Sequence, residues 1–175
     1  MSKRIEIKNL LEATELDVKV VVKGWVRNYR GNSFVMFAAL NDGSSLQNLQ
    51  VVIDIAKFDA AELKKISVGC SLSVEGTLKA SEGKGQRVEV VAETIEVLGI
   101  ADPEKYPIQP KKHSLEFLRE NAHLRFRTNL FGAIMRVRHN MIYAIHTFFT
   151  ERGFYNIHTP LITGSDCEGA GEMLR

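Results

Sequence analysis

Cysteine is almost missing from this chain. Its two residues of that type, Cys70 and Cys167, lie far apart and form no CxxC. A disulfide framework and a cysteine-based structural zinc site are therefore not expected, and a reducing compartment is the simpler setting. Long apolar runs are missing too, so no membrane-spanning segment is expected. The opening residues MSKRIEIKNL contain no signal-peptide core. The expectation is a cytoplasmic protein with no membrane partner. The net charge, +2, is too small to identify a polyanionic partner by itself. The five histidines, His113, His123, His139, His146 and His158, follow no metal-ligand spacing. No GxxxxGK[ST] phosphate loop occurs, and Ser165, Asp166 and Cys167 match no catalytic triad order. No catalytic residue and no metal site are expected within these 175 residues.

What is present is ordinary soluble material, 45% hydrophobic and 25% charged, with room for one domain and part of a second. Charge is uneven along it. From Lys111 to His139 seven basic residues (Lys111, Lys112, Arg119, Arg125, Arg127, Arg136, Arg138) face two acids, Glu116 and Glu120. Such a band suits phosphate, and a solvated helix face accounts for it equally well.

The first hundred residues read as β. Val18–Val26, Phe34–Leu40, Leu49–Asp54, Ser71–Lys79 and Arg87–Val97 are strand-like, separated by turn chemistry at Arg30–Ser33, Asn41–Ser45 and Ser81–Gly85. A helix carrying Phe58, Leu63 and Ile66 is predicted over Ala56–Ile66. Five strands with a helix between the third and fourth is the order of an OB-fold, a mainly β five-stranded Greek-key barrel that often binds nucleic acid. A β-sandwich fragment is the alternative, and it accommodates the helix poorly.

Three of the four prolines, Pro103, Pro107 and Pro110, fall in Ala101–His113, which reads as a linker. Ser114 is placed to cap a short helix, Leu115–Asn121. A longer helix begins at Thr128 or Asn129. Ile134, Val137, Met141, Ile145 and Phe148 give it one apolar stripe, which Leu130, Phe131, Ile142 and Phe149 widen. Gly153 suits its left-handed C-terminus. A short strand is expected to follow, running into Thr159-Pro160. The expected domains are thus residues 1–101, a linker over 102–127, and the start of a second domain from 128 to 175.

One choice of strand parity gives the barrel a reading face. With Phe34, Met36, Ala38 and Leu40 inward, Phe37 points outward; with Leu49, Val51 and Ile53 inward, so does Gln50; with Val88, Val90 and Ala92 inward, so does Glu89. A ring, an amide and a carboxylate on one surface suit single-stranded RNA: the ring stacks on a base and the polar groups read base edges. Arg27 and Arg30 lie where they would hold phosphates. The same pattern fits a second-layer Phe37 beside ordinary surface residues, because strand two is apolar on both faces.

A resemblance favours the first reading. GWVRNYR (Gly24–Arg30), FVMFAALND (Phe34–Asp42) and LQVVID (Leu49–Asp54) resemble the anticodon-binding domain of the aspartyl, asparaginyl and lysyl subclass of class II aminoacyl-tRNA synthetases. HSLEFLRENAHLRFRTN (His113–Asn129) is similar to the hinge of that subclass, and ERGFYNIHTP (Glu151–Pro160) to its motif 1. The resemblance covers essentially residues 15–98 and then 113 onward. It implies that Phe37 stacks on the central anticodon base, a uracil, that Gln50 contacts the same base, and that Glu89 lies near the anticodon edge. It implies a homodimer interface built around Gly153 and Pro160. The loop TGSDCEGAGE (Thr163–Glu172) resembles the asparaginyl form of a mobile substrate loop, which implies that Ser165 and Glu168 belong to the amino-acid site, that Glu168 binds the substrate's ammonium group, and that Gly164, Gly169 and Gly171 act as hinges. The implied parent enzyme is an asparagine–tRNA ligase that uses ATP and Mg²⁺. Its partners are tRNA through the anticodon loop, asparagine, and a second copy of itself. Motifs 2 and 3 of the family have no counterpart here. The 175 residues are therefore expected to bind no ATP or Mg²⁺ and to catalyse no charging. A free-standing RNA-binding OB module and an aspartyl-enzyme fragment are the alternatives.

Overall fold

A computed structural model of the chain describes residues 3–83 and 85–159. Two compact units are distinguished in it, Met1–Met135 and Arg136–Arg175, and each is described by itself.

In the first unit five strands, β1 (Val18–Gly31), β2 (Val35–Asn41), β3 (Leu49–Asp54), β4 (Ser71–Ala80) and β5 (Val88–Gly99), close into a barrel in the order β1-β2-β3-β5-β4. Neighbours are antiparallel except β3 and β5, which run parallel. The alternation of side chains explains the closure. Val20, Val22 and Val26, Ala38 and Leu40, Leu49, Val51 and Ile53, Leu72, Val74 and Leu78, and Val88, Val90 and Ala92 are all buried and form one core. Each large aliphatic side chain removed from water stabilises the barrel by about 1.5–3 kcal/mol. Register shifts at Val26/Asn28 in β1 and at Glu75/Gly76 opposite β5 bend the strands round the cylinder.

The barrel is sealed at one end by a helix that the sequence pattern did not single out. Helix α1 (Ile7–Glu12) puts Ile7 and Leu10 into the core. It has no capping side chain of its own. Instead Asp42, in the turn after β2, accepts from the Ile7 amide at 3.0 Å. Burial opposes the charge on Asp42, but bonds from the Ser44 hydroxyl, the Ile7 and Ser44 amides and Arg4 outweigh it and hold the carboxyl below its usual range.

Several expectations change in detail. Phe34 is not inward: it precedes β2 at the hairpin tip and is 75% exposed. Strand one runs five residues longer than expected, through Arg27 and Arg30 to Gly31. The helix predicted over Ala56–Ile66 is divided into a 3₁₀ turn (Ile55–Lys57) and a short helix α2 (Ala60–Leu63), because Asp54 and Asp59 each cap a new start through the amides of Ala56 and Ala61. Leu63 and Ile66 still reach the core, with Phe58 against it. The linker is less bare than its composition suggests, since Ile108 and Leu118 are buried. Helix α3 (Leu115–Glu120) is capped as expected by Ser114, whose hydroxyl accepts from the Phe117 amide at 3.2 Å.

Helix α4 (Asn129–Thr150) has no buried residue. Val137, Met141, Ile142, Ile145, Phe148 and Phe149 are exposed in the second unit. The helix ends on Gly153, at φ 82°. The Phe154 amide bonds the Phe149 carbonyl at 3.1 Å and the Gly153 amide bonds the Thr150 carbonyl at 3.0 Å, while the rings of Phe149 and Phe154 meet edge to face at 5.5 Å. This is a Schellman ending with its apolar contact. Residues 154–159 form no strand, and Pro160 lies outside the described residues.

Candidate nucleic-acid interface

The buried alternation of three adjacent strands places Phe37, Gln50 and Glu89 on the opposite, outer surface. Ala39 on β2 pairs with Gln50 on β3, and Gln50 with Glu89 on β5, so these positions form a row across the sheet. Phe37 stands two residues along β2 from that row, about 7 Å away at strand spacing. It pairs directly with Arg30 on β1, whose guanidinium lies 6.0 Å from the ring centroid. The Phe37 ring is half-buried on this surface.

The polar members are bonded to one another. Gln50 Nε2 donates to Glu89 Oε2 at 3.0 Å. Ser81 Oγ donates to the same oxygen at 2.7 Å, and Gln86 Nε2 does so at 3.2 Å. Gln86 Nε2 also donates to Ser81 Oγ at 2.7 Å. Ser81 and Gln86 come from the glycine-rich turn between β4 and β5. Strand periodicity gave no hint of them, because turn residues carry no alternating pattern. Gln47, the competing glutamine in sequence, lies in the turn before β3 and uses its carbonyl to hold Asn41.

An open groove of about 940 Å³ runs beside the row, lined by Ala39, Gln47, Asn48, Gln50, Gln86 and Arg87 among others. Asn48 and Asn129 also line a second, basic groove of about 490 Å³ with Arg27, Lys111, Lys112 and His113. Arg27 donates to Asn129 Oδ1 at 3.3 Å. Burial lowers its pKa, with Tyr106 opposing and Arg127 reinforcing the shift. Arg87 is spent elsewhere: its guanidinium clasps the Leu11 and Ala13 carbonyls at 2.8 and 2.6 Å, tying the end of α1 to β5. At another face of the same unit Arg127 stacks on Trp25 at 4.4 Å.

Of the remaining expected site residues, Gly153 ends α4, whereas Pro160, Ser165 and Glu168 lie outside the described residues. The apolar stripe and the Cys70 thiol offer no chemistry; Cys70 is buried in the barrel, and burial raises its pKa.

Comparison with known proteins gives this surface a context. The pattern of the family described as "OB-fold nucleic acid binding domain" matches residues 20–98, and that of "tRNA synthetases class II (D, K and N)" matches residues 114–174. A protein of Cytophaga hutchinsonii named asparagine–tRNA ligase is 54% identical over 175 residues, covering 99% of this chain and 38% of the relative. One of the same name from Parabacteroides distasonis is 56% identical over 173 residues, covering 99% of this chain and 37% of the relative. The chain thus spans little more than a third of the curated relatives it matches. Among solved structures, asparaginyl-tRNA synthetase from Pyrococcus horikoshii superposes with a TM-score of 0.78 at 26% identity, over 93% of this chain and 39% of that one. An OB barrel followed by a segment that matches the class II (D, K and N) synthetase pattern thus makes this chain similar, over nearly its whole length, to little more than a third of an asparagine–tRNA ligase.

Proposed function

We propose that residues 1–101 read the anticodon of a tRNA for an asparagine–tRNA ligase, that residues 102–127 serve as its hinge, and that residues from 128 onward open its catalytic domain. The observation that carries this reading is the single outer face on which Phe37, Gln50 and Glu89 stand together. Phe37 stacks on the central anticodon base, contributing about 1–3 kcal/mol. Gln50 and Glu89 meet base edges. Arg30 and Arg27 neutralise phosphates flanking the loop, and the basic groove beside Lys111 and Lys112 continues that field.

The whole enzyme joins asparagine to the terminal adenosine of its tRNA through an adenylate formed from ATP with Mg²⁺. Among the described residues no group of three His, Cys, Asp or Glu side chains is placed to hold a metal ion, and no step of that reaction is assigned to them. Ser165 and Glu168 are proposed to lie in the asparagine-binding loop, with Glu168 meeting the ammonium group. The exposed stripe of α4, with Gly153 and Pro160 beyond it, is proposed to face a second copy of the enzyme. No helix among the described residues is long and apolar enough to cross a membrane. The proposed compartment is the cytoplasm.

Fluorescence anisotropy with a labelled GUU-anticodon stem-loop tests the central claim. Phe37→Ala weakens binding by roughly five- to 150-fold, the equivalent of about 1–3 kcal/mol. Unchanged affinity in a folded variant would remove Phe37 from the interface.

A further inference from the structure

Gln50 can face a base in two ways, carbonyl first or amide NH₂ first, and these select opposite partners. Uracil presents an N3–H donor at its Watson–Crick edge, whereas cytosine presents a bare N3 acceptor. Which end of Gln50 turns outward is settled by what holds the other end. A carboxylate only accepts, so the Gln50 atom 3.0 Å from Glu89 Oε2 is the NH₂ nitrogen, and the carbonyl oxygen is left for the groove that Gln50 lines.

Glu89 is itself held. Its Oε2 takes bonds from Gln50, from Ser81 Oγ and from Gln86 Nε2, while no bond among the described residues is given to Oε1. Gln86 uses its NH₂ group twice, on Ser81 Oγ at 2.7 Å and on Glu89 at 3.2 Å. The serine hydroxyl, receiving from Gln86 and from the Gly83 amide, has its own hydrogen directed at Glu89. Every polar hydrogen in this chain of contacts therefore runs one way, converging on Glu89 from the β4–β5 turn and from Gln50. A network polarised in this way leaves its members a single low-energy arrangement.

We propose that Gln86 is a specificity-determining positioning residue. By fixing Ser81 and Glu89 it fixes the rotation of the Gln50 amide, so that the groove favours a base with an N–H at its centre, uracil, over one with a lone pair there, cytosine. The inference rests on the anticodon reading and adds to it the residue that gives that reading its sense. Gln86 need not touch the RNA. Its effect is seen in the ratio of affinities, where a merely structural residue would lower both alike.

The experiment compares stem-loops with a central U or a central C, binding to the full chain and to Gln86→Met, which keeps the side-chain length and removes both donors. The unmodified chain prefers the U loop. In Gln86→Met that preference falls by about three- to tenfold, as expected for one lost hydrogen-bond constraint of about 0.7–1.4 kcal/mol, while Phe37→Ala weakens both loops alike. Ser81→Ala is a second variant and moves the ratio in the same direction. An unchanged U-to-C ratio in both folded variants overturns the positioning role and leaves the anticodon reading standing. Failure of the unmodified chain to bind either loop overturns both.

Discussion

The carboxylate of Asp42 caps the amide of Ile7 from 35 residues away, at 3.0 Å. The same side chain, 1% exposed, accepts from Arg4 at 3.1 Å and from the Ser44 hydroxyl at 2.6 Å. One acidic residue thus joins the N-terminal helix to the β2–β3 turn. Asp42→Asn is expected to destabilise the barrel by about 1–3 kcal/mol, from a lost cap and a weakened charged bond. The pH dependence follows from the depressed folded pKa. Between the folded value and the unfolded value of about 3.9, the unfolded chain binds more protons, so acid favours unfolding. The contribution is fully present above the unfolded value and is lost as pH falls through the folded one. Urea titrations of both proteins at neutral pH and in acid therefore show a gap that narrows in acid; a gap of constant size would place the effect elsewhere.

Gly76 lies where β4 and β5 shift register, and a Cβ there would stand 2.1 Å from the Val91 carbonyl oxygen. Backbone cannot give way as a side-chain tip can. Gly76→Ala is expected to cost about 1–3 kcal/mol or more, read as a fall in melting temperature. Gly43 is the contrast: at φ 85°, a methyl group added to it would meet nothing within 4 Å. Gly43→Ala carries only the conformational cost, about 1 kcal/mol. Equal losses at the two sites would contradict the close approach.

The end of α4 supplies the third test. Gly153→Ala places a side chain in the left-handed region at a cost of about 1 kcal/mol, and Phe154→Ala removes the ring contact with Phe149. Amide hydrogen exchange at Gly153 and Phe154 is expected to accelerate in both variants while barrel amides are unaffected. Unaltered protection in both would mean that the ending is held by something other than the Schellman bonds.

Much of this was legible because period-two burial is a strong signal wherever strands are long. Ala38, Leu40, Leu49, Val51, Ile53, Val88, Val90 and Ala92 all lie inward, and the row from Ala39 to Gln50 and Glu89 follows from their parity. Phe34 departs from the alternation because it precedes the strand; at the hairpin tip Asn32 accepts from the Phe34 and Val35 amides and redirects the chain. Helix α1 is not legible in its own six residues because its cap is a tertiary contact. The same holds for Ser81 and Gln86: what matters in them is a direction of donation to Glu89, and no composition or period encodes that.

The parallel seam between β3 and β5 sets Gln50 beside Glu89, 39 residues further along the chain. The two side chains become neighbours only when that seam is zipped, a step that pairs distant segments and is entropically slow. An RNA loop that grips both would then recognise the finished cylinder and ignore the open chain. By mass action it would raise the melting temperature in proportion to the logarithm of its concentration.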